Sequence, residues 1–505
     1  MTKIYDFQNI GNNNFCQKNN IKLEWEKEVL TEFKTYQYLL NSTTNLPLDY
    51  IAYPWALLID LYHNKFRNIF SSFYYFLKEI DLIDQLPKKR FITTIQSYHF
   101  NKFMDVFKKI GIKYIFSPHI NKKDFLKIFY KYDIIVYPYI IYPSIQLDNN
   151  NKNPLGKHIL YNFIGNTKYV PIRPTQVRTN IVEMKHLPNT VIKGINQWHF
   201  NDVVYGKQLQ LIECDQSIDI FKEKVDREEF YKKTMETSLF CICPLGIGPN
   251  SIRLWESFTY NTIPISISDD LWLPFYLNVN WDDIMVNIKE SNFQDIVKVK
   301  DINADKINLY QNEGLTFYQK YLQESKFGNM VEKAFQNYNE FILLVPWYNI
   351  TDERRFLEIH SCLDSNIKNK FIKQIVFFYE TDNVTKIDYD KYSHPKIKII
   401  PVISNLKRDV AFNSMAKYAN EHFINQICII SNNDIYFDET LSNIYQLDFY
   451  KNKYLIALTR KNYGKYLDSN NQIWKPHPSS QDSWIFRTPI QLMKNDINLG
   501  WIQCD

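Results

Sequence analysis

YKKTMETSLFCICPLGIGPNSIRLWESFTYNTIPISISDDLWLPF, residues 231–275, is the stretch that decides the predicted fold. It opens with an apolar run at 238–243, which has the length and composition of a buried strand. The residues that follow, 244–250, contain Gly246 and Gly248, which allow the backbone to bend and to approach a ligand closely. The stretch therefore begins as a strand that ends in a glycine-rich loop.

A helix is predicted after this loop, at 251–258, and either Asn250 or Ser251 can cap its first turn. A second apolar strand follows at 262–268. Together these elements form a βαβ unit with the loop at the carboxyl end of its first strand. Open α/β sheets bind ligands at that edge, and a helix N-terminus favours anions. The unit therefore predicts a binding site for an anionic ligand.

Arg253 and Glu256 lie three residues apart on the predicted helix, so both side chains can face the loop. An arginine binds a diphosphate bidentately, and a glutamate can accept hydrogen bonds from two ribose hydroxyls. The pair therefore suits a nucleotide diphosphate-sugar. The alternative is an ion pair on the helix surface, which is what an arbitrary arginine and glutamate at this spacing form.

The run CPLGIGPNSIRLWESFTYNTIPISISDD, residues 243–270, resembles the nucleotide-sugar signature of the exostosin-like glycosyltransferases. That signature is close to C-P-x-G-x-G-x-N-S-x-R-x-W-E, a spacer, I-P-V and a short acidic stretch, and nearly every position is filled. The family is similar to other GT-B enzymes, which have two Rossmann-like domains and hold a UDP-sugar in the second without a metal. By this resemblance, Arg253 neutralises the donor diphosphate and Glu256 holds the ribose. The resemblance also implies a phosphate loop lined by Gly246, Gly248, Asn250 and Ser251.

Length and composition set the broad class. A chain of 505 residues predicts about three domains. A hydrophobic content of 45%, with 16% aromatic residues, is enough for packed cores and excludes wholesale disorder. The net charge of +5 is too diffuse to form a nucleic-acid surface, so no nucleic-acid partner is expected.

The cysteines and the N-terminus predict the compartment. Seven cysteines without a CxxC pair argue against a zinc site or a disulfide framework. The N-terminus MTKIYDFQNIGNNNF lacks the basic and apolar segments of a signal peptide. No apolar run reaches the ~18 residues that a membrane span needs. A cytoplasmic protein without a membrane span is therefore expected.

Residues 1–155 are predicted to form a first Rossmann-like domain, which carries the acceptor in a GT-B enzyme. An Asn-rich run at 9–20 is predicted to be a loop, and strand-like segments then alternate with helix-like ones, as in a parallel sheet with covering helices. An inverting reaction needs a base for the acceptor hydroxyl, and His99, His119 or an acidic residue could supply it. The alternative is that each histidine is a satisfied loop or core residue.

Residues 156–337 are predicted to form the second Rossmann-like domain, which binds the nucleotide-sugar. A strand at 158–165 and a helix that begins near Arg178 resemble the family's F-x-G…R-x-x-L element. The resemblance implies that Arg178 points at the donor phosphates, and a surface arginine is the alternative. Asp269 and Asp270 follow the second strand of the βαβ unit, where they either bind sugar hydroxyls or cap the next helix.

Residues 338–505 are predicted to form a third unit, in which strands alternate with helices up to an Asn/Asp cluster at 431–438. This order resembles the nucleotide-binding half of GT-A glycosyltransferases, where a D-x-D motif coordinates Mn²⁺ or Mg²⁺ on the diphosphate. Donor contacts are expected from Pro346, Tyr348, Glu380 and Arg408.

The third unit departs from the D-x-D pattern at Asn432-Asn433-Asp434, because a carboxamide brings an oxygen but no charge. The predicted ligands of Mn²⁺ or Mg²⁺ are Asn432, Asp434 and Asp505, and a turn stabilised by Asn and Asp side chains is the alternative. The run Gln481-Asp482-Ser483-Trp484 resembles the base motif of inverting GT-A enzymes, which places Asp482 beside the acceptor hydroxyl unless it caps a helix. Because the sequence stops at Asp505, a truncated and incomplete second site is also expected.

The leading hypothesis is a bifunctional glycosyltransferase that uses UDP-sugars to build a polysaccharide or glycan on an oligosaccharide acceptor. Its GT-B site would be metal-independent and inverting, with glucuronosyl transfer as the expected reaction. Its GT-A site would be metal-dependent and would transfer an N-acetylhexosamine. The alternatives are one active exostosin-like site with a carbohydrate-binding C-terminal domain, and a binding or scaffolding protein derived from an inactive enzyme.

Overall fold

The chain forms two compact units, Met1–Ala334 and Phe335–Asp505. The structure is a computed structural model and describes residues 2–7, 13–23, 25, 30–43, 46–145, 156–167, 176–195, 218–277, 279–336, 340–403, 412–446, 454–458 and 482–491.

The first unit contains two five-stranded sheets in its described part, and every strand pair in them is parallel. The strands of the first sheet are β1 (Ile4–Asp6), β2 (Asp49–Ala52), β3 (Phe91–Thr94), β4 (Ile112–Ser117) and β5 (Ile135–Pro138). The strands of the second sheet are β6 (Ile159–Asn166), β7 (Thr190–Ile195), β8 (Ser238–Pro244), β9 (Ile263–Ile267) and β10 (Val286–Ile288). Parallel strands need helical crossovers, so this topology confirms the predicted α/β class.

Helices cover both sheets of the first unit. The α-helices are α1 (Asn14–Lys18), α2 (Leu30–Asn41), α3 (Trp55–Leu61), α4 (Phe73–Glu79), α5 (Met104–Lys109), α6 (Lys122–Tyr132), α7 (Val177–Glu183), α8 (Ile218–Thr237), α9 (Ile252–Thr259), α10 (Ala304–Phe317) and α11 (Asn329–Gln336). Segments of 3₁₀ or π-helix lie at Tyr62–Phe66, Phe100–Phe103, Phe275–Leu277, Trp281–Asp283, Glu290–Asp301 and Tyr318–Leu322.

The strand order of the second sheet is β10-β9-β8-β6-β7. The chain leaves β6 for β7 on one side and then returns to place β8 on the other side, so the order reverses between β6 and β8. A crevice opens at the carboxyl ends of the strands at such a reversal, and open α/β sheets bind ligands in it. The loop at 244–250 lies at this point. The first sheet, ordered β1-β2-β3-β4-β5, has no such reversal among its described strands.

The second unit contains one six-stranded sheet in its described part. Its strands are β11 (Phe341–Trp347), β12 (Ile372–Thr381), β13 (Ile397–Ile403), β14 (Ile427–Ser431), β15 (Leu455–Leu458) and β16 (Ser483–Arg487), in the order β13-β12-β11-β14-β16-β15. The first four of these in space are parallel, and β16 runs antiparallel to both β14 and β15. The strand order reverses between β11 and β14, which predicts a crevice there too.

Two α-helices of the second unit cover opposite faces of its sheet. Buried side chains of α12 (Glu353–Lys368) join the cluster on one face, and those of α13 (Phe412–His422) join the cluster on the other. The 3₁₀ segments are Val384–Lys386, Asp390–Tyr392 and Glu439–Gln446.

One local prediction is wrong, and one alternative is excluded. The Asn-rich run at 9–20 contains helix α1, because Asn13 caps it by accepting a hydrogen bond from the backbone N–H of Cys16 at 2.8 Å. Asp482 does not cap a helix, since the residues that follow it form the antiparallel strand β16. Within the described residues, no helix is both long and apolar enough to span a bilayer.

Candidate functional site

The centre of the site is the loop that connects β8 to α9. The backbone N–H of Leu245 donates to the carbonyl of Ile267 at 3.0 Å, which ties the loop to the neighbouring strand β9. The backbone N–H of Gly246 donates to the carbonyl of Gly248 at 3.1 Å, which closes a tight turn. Ser251 then begins α9 with extended backbone, and among the described residues its side chain makes no capping hydrogen bond. Backbone hydrogen bonds therefore fix the bend of the loop.

Arg178, on α7, holds this loop rather than only facing it. Its guanidinium donates to the carbonyls of Leu245 at 2.8 Å, Asn166 at 3.1 Å and Pro244 at 3.3 Å, so it joins the ends of β6 and β8. Burial, together with the positive charge of Arg253, lowers the pKa of Arg178 to about 9. Arg178 was predicted from the sequence as a phosphate ligand, and much of its donor capacity is spent on the backbone.

Arg253, on α9, lies at the end of β6. Its Nη2 donates to the carbonyl of Ile164, and its guanidinium carbon lies 5.0 Å from the ring centre of Phe163. A β-carbon at Gly165 would lie 2.6 Å from Nη2, so only glycine leaves room for this arginine. The Nε atom of Arg253 is buried and has no hydrogen-bond partner among the described residues. A buried donor without a partner costs free energy, and an anionic ligand would remove that cost.

Glu256 is buried one turn further along α9, with 4% of its surface exposed. The hydroxyl of Ser144 donates to Oε1 at 2.7 Å and the hydroxyl of Tyr231 donates to Oε2 at 2.8 Å. The carboxylate therefore accepts from two protein hydroxyls, which are the kind of group that ribose would present. A ribose would have to add to these contacts or displace one of them.

Asn250 connects the loop to both halves of the first unit. Its Oδ1 accepts from Trp255 Nε1 at 2.8 Å, and its Nδ2 donates to the carbonyl of Tyr139 at 3.3 Å. Because Tyr139 follows β5 of the first sheet, this asparagine fixes the loop of the second sheet against the first. Asn250 is therefore a positioning residue of the loop, where the resemblance implied a lining residue.

His119 comes from the opposite sheet and contacts the same loop. It follows β4, and its backbone N–H donates to the hydroxyl of Ser117 at 3.3 Å. A β-carbon at Gly248 would overlap the imidazole ring of His119. The carboxyl edges of the two sheets therefore face each other, with His119 between them.

His99, the other predicted base, lies in a different environment. Its ring packs 5.0 Å from the ring of His63 and it is buried. Burial, Lys102 and His63 together lower the pKa of His99 to about 4. A neutral, packed imidazole is the arrangement of a core histidine, and His119 is the one that the structure brings to the loop at 244–250.

Glu32 is a residue of this edge that the sequence did not indicate. It lies on α2 and is buried, and it accepts hydrogen bonds from the backbone N–H of Ala56 at 3.2 Å and of Gln96 at 2.8 Å. Pro54 precedes α3 and makes no side-chain cap, so Glu32 supplies the cap from another helix. Glu32 therefore holds α3 and the segment after β3 together. Its partners lie far away along the chain, so the spacing of residues in the sequence does not reveal these contacts.

Asp269 and Asp270 have separate roles after β9. Asp269 Oδ1 accepts from the backbone N–H of Glu290 at 3.1 Å, while Glu290 Oε1 accepts from the backbone N–H of Asp269 at 3.0 Å. Asp270 lies 3.4 Å from Lys123 of α6 in an exposed ion pair. Asp269 therefore binds the first residue of Glu290–Asp301, which is not the helical segment directly after it. Asp270 adds a contact between the two halves of the first unit.

In the second unit, the predicted residues gather at one edge of the sheet. Tyr348 follows β11, Glu380 lies near the end of β12, and Asn432 and Asp434 follow β14. Asp482 precedes the antiparallel strand β16, so it reaches the same edge. Pro346 lies within β11 and pairs with Phe378 of β12. Arg408 and Asp505 lie outside the described residues.

The contacts of Asn432 and Asp434 decide how well this edge suits a divalent cation. Asp434 Oδ2 accepts from Arg355 Nη2 at 2.7 Å, and Asn432 Nδ2 donates to Asp482 Oδ1 at 3.3 Å. Mn²⁺ and Mg²⁺ prefer several oxygen ligands and carboxylate charge. A divalent cation ~4 Å from a guanidinium would be repelled by about 8 kcal/mol at an effective dielectric constant of ~20. The described residues include no group of three or more His, Cys, Asp or Glu side chains that could hold a metal. The donor set therefore fits such a cation poorly.

Comparison with known proteins concerns the first unit of the chain. Residues 127–302 match the profile of the family described as Exostosin GT47 domain. The match contains the loop at 244–250, Arg178, Arg253 and Glu256. It supports the resemblance that the motif at 243–270 predicted.

Similar segments occur in curated plant proteins. A "Probable glucuronosyltransferase" of Oryza sativa subsp. japonica is 40% identical over 73 residues, which cover 14% of this chain and 18% of that protein. A "Probable beta-1,4-xylosyltransferase" of Arabidopsis thaliana is 35% identical over 77 residues, which cover 15% of this chain and 19% of that protein. The matched part of the chain thus spans about a fifth of the length of these relatives.

Proposed function

We propose that this protein is a glycosyltransferase that moves a sugar from a UDP-sugar to a glycan acceptor, with the donor bound at the β6/β8 crevice of the first unit. The observation that carries the proposal is the buried Nε of Arg253, which has no partner among the described residues, on a guanidinium that lies beside Gly165 at the end of β6. The positive charge of Arg178 adds to that of Arg253. The family match and the names of the plant relatives support a transferase.

The reaction that we propose is a metal-independent inverting transfer in a GT-B-type arrangement of the two parallel sheets. The acceptor oxygen attacks the anomeric carbon, the bond to the diphosphate breaks, and the diphosphate leaves with the bonding electrons. Arg253 and Arg178 stabilise the negative charge that grows on the leaving group. His119 takes the proton of the acceptor hydroxyl, since it lies against the donor loop from the acceptor side. UDP-glucuronate is the proposed donor, with UDP-xylose as the second to be tested.

For the second unit, we propose carbohydrate binding in preference to an N-acetylhexosamine transfer at a GT-A-type metal site. Asn433 Nδ2 and Asp434 Oδ1 are buried polar atoms with no partner within the described part of the chain. A sugar hydroxyl can accept from an amide and donate to a carboxylate, so it would satisfy both atoms. The order reversal between β11 and β14 supports a ligand crevice at the same edge.

Turnover of the full-length chain tests the transferase proposal. UDP-glucuronate, UDP-xylose and UDP-N-acetylglucosamine are each mixed with short oligosaccharide acceptors, with and without EDTA, and products are identified by mass spectrometry. We expect transfer of one sugar in the presence of EDTA. Arg253→Gln should lower the rate at least ~100-fold, as loss of a charge-stabilising donor does. Arg227→Gln, an exposed arginine of α8, is the matched control and should retain the rate. Absence of product with every donor would refute the proposal.

A further inference from the structure

The turn that carries Asp434 is fastened along one face of α12. Cys362 Sγ lies 3.1 Å from the carbonyl of Asp434, where its thiol donates a hydrogen bond. Further along the helix, side chains of Asn366 and Asn369 bind backbone groups of residues 435 and 437 at 2.8–2.9 Å. These helix positions are spaced by three to four residues and therefore share a face. The turn is consequently held in one position relative to α12.

Arg355 extends this face towards the helix N-terminus. Besides Asp434, its guanidinium binds Glu358 Oε2 at 2.7 Å, and its backbone N–H donates to Asp352 Oδ1 at 2.7 Å. A guanidinium stays protonated throughout the pH range in which proteins are folded. The positive charge is therefore permanent, and both ends of the residue are fixed.

The ion pair lies where the sequence predicted a metal. The side chain of Asp434 is 13% exposed, so water screens its interaction with Arg355 only in part. Glu358, the other carboxylate on Arg355, is 54% exposed and its charge is largely screened by solvent. A cation bound to Asp434 would have to displace the guanidinium or accept its repulsion. Asn432 would add an amide oxygen with no charge.

We infer that the guanidinium of Arg355 takes the place of a divalent cation at the Asn432–Asp434 turn, so that the second unit binds its ligand without Mn²⁺ or Mg²⁺. The ligand is the carbohydrate of the proposed function, whereas the exclusion of the cation depends only on contacts within α12 and this turn. It is independent of the donor site in the first unit and of any transferase activity.

Binding of Mn²⁺ to the full-length chain tests the inference, with free Mn²⁺ followed by electron paramagnetic resonance during a titration. We expect no binding by the wild-type chain that depends on Asp434 up to about 1 mM Mn²⁺. Arg355→Gln, which removes the repulsion, should bind Mn²⁺ at least tenfold more tightly than the wild type. Arg354→Gln is the matched control, since Arg354 is the exposed neighbour of Arg355. Arg355→Lys keeps the charge, so its affinity for Mn²⁺ should be no higher than that of the wild type.

Two outcomes would overturn the inference. One is wild-type binding below about 100 µM that Asp434→Asn abolishes, because Asp434 would then hold a cation beside Arg355. The other is an Arg355→Gln variant that binds no more tightly than Arg354→Gln while its circular dichroism shows an intact fold. If Arg355→Gln binds Mn²⁺ more tightly than the wild type and the double variant with Asp434→Asn does not, the guanidinium and the cation compete for Asp434.

Discussion

The imidazole ring of His119, from the edge of the first sheet, lies against the backbone of Gly248 in the loop of the second sheet. One contact thus joins the proposed base to the proposed donor loop. It also explains why the loop needs its second glycine, since Gly248 is buried and any side chain there would meet the ring.

Substitution of Gly248 should therefore impair the reaction. Gly248→Ala must push His119 or the loop aside, and we expect kcat/KM to fall at least tenfold, because a misplaced group near the reacting atoms costs rate strongly. The measurement is the initial rate with UDP-glucuronate and acceptor. Gly156→Ala is the matched control, since a β-carbon there meets nothing within 4 Å. Equal rates in the two variants would show that the contact has no role in transfer.

Arg178 should stabilise the first unit through its three carbonyl contacts. Arg178→Lys keeps a positive charge, but a single ammonium cannot reach carbonyls at the ends of both β6 and β8. Each buried carbonyl that is left without a donor destabilises the folded state by about 1–3 kcal/mol. We therefore expect the free energy of unfolding of the first unit, measured by urea denaturation, to fall by roughly 2–4 kcal/mol. Arg227→Lys, at an exposed position, should leave it unchanged. A similar midpoint for both variants would contradict the structural role.

Two buried glutamates should respond differently to the same substitution. Glu32 Oε1 accepts from the backbone N–H groups of Ala56 and Gln96, and Oε2 accepts a longer bond from Ala56 at 3.4 Å. Backbone donors cannot reverse, so the amide of Glu32→Gln keeps the bonds to its oxygen but places its own N–H against that of Ala56. Glu332 accepts from the hydroxyls of Tyr38 and Ser42, which can rotate to accept instead.

We accordingly expect Glu32→Gln to lower the Tm of the first unit by several degrees more than Glu332→Gln, by differential scanning calorimetry. A larger loss in Glu332→Gln would mean that the backbone contacts of Glu32 are unimportant for stability.

Asp60 should make stability depend on pH. Burial raises the pKa of Asp60 to about 7 in the folded protein, above its ordinary value. Binding of this proton stabilises the folded state. The stabilisation is complete below about pH 4, near the pKa of an unfolded aspartate, and is lost as the pH rises through about 7. Asp60→Asn, which needs no ionisation, should raise the Tm at pH 8 by at least ~2 °C relative to wild type and leave it nearly unchanged at pH 4. Asp84→Asn, at an exposed position, is the control. An equal shift at both pH values would show that ionisation of Asp60 is not the cause.

The sequence predicted the βαβ unit of the second sheet well, because each of its elements has a strong local signal. Ser238–Pro244 is an apolar run without competing polar residues, and Ile252–Thr259 follows a glycine turn. By contrast, β7 was missed: Thr190–Ile195 is an edge strand with Lys193 and Gly194 exposed, so it has no apolar periodicity. Strands buried on both faces are visible in a sequence, and exposed edge strands are not.

The sequence indicated candidate site residues by type, and their contact partners were not predicted. The motif identified Arg253 and Glu256, but it could not show that Ser144 and Tyr231 already bind the glutamate. Likewise, the Asn432–Asp434 turn was recognised, while Arg355, 79 residues away, was not connected with it. Contacts between residues so far apart in the chain depend on the order of the strands in the sheet, and residue spacing in the sequence does not predict that order.

The carboxylate of Glu256 joins the two halves of the first unit. Ser144 belongs to the segment after β5 and Tyr231 to α8, so hydroxyls from both halves of the first unit hold the same group. A hinge motion that separated the two halves would remove one of these hydroxyls from the buried carboxylate of Glu256. Separation of the two halves and displacement of α9 are therefore coupled through this one carboxylate.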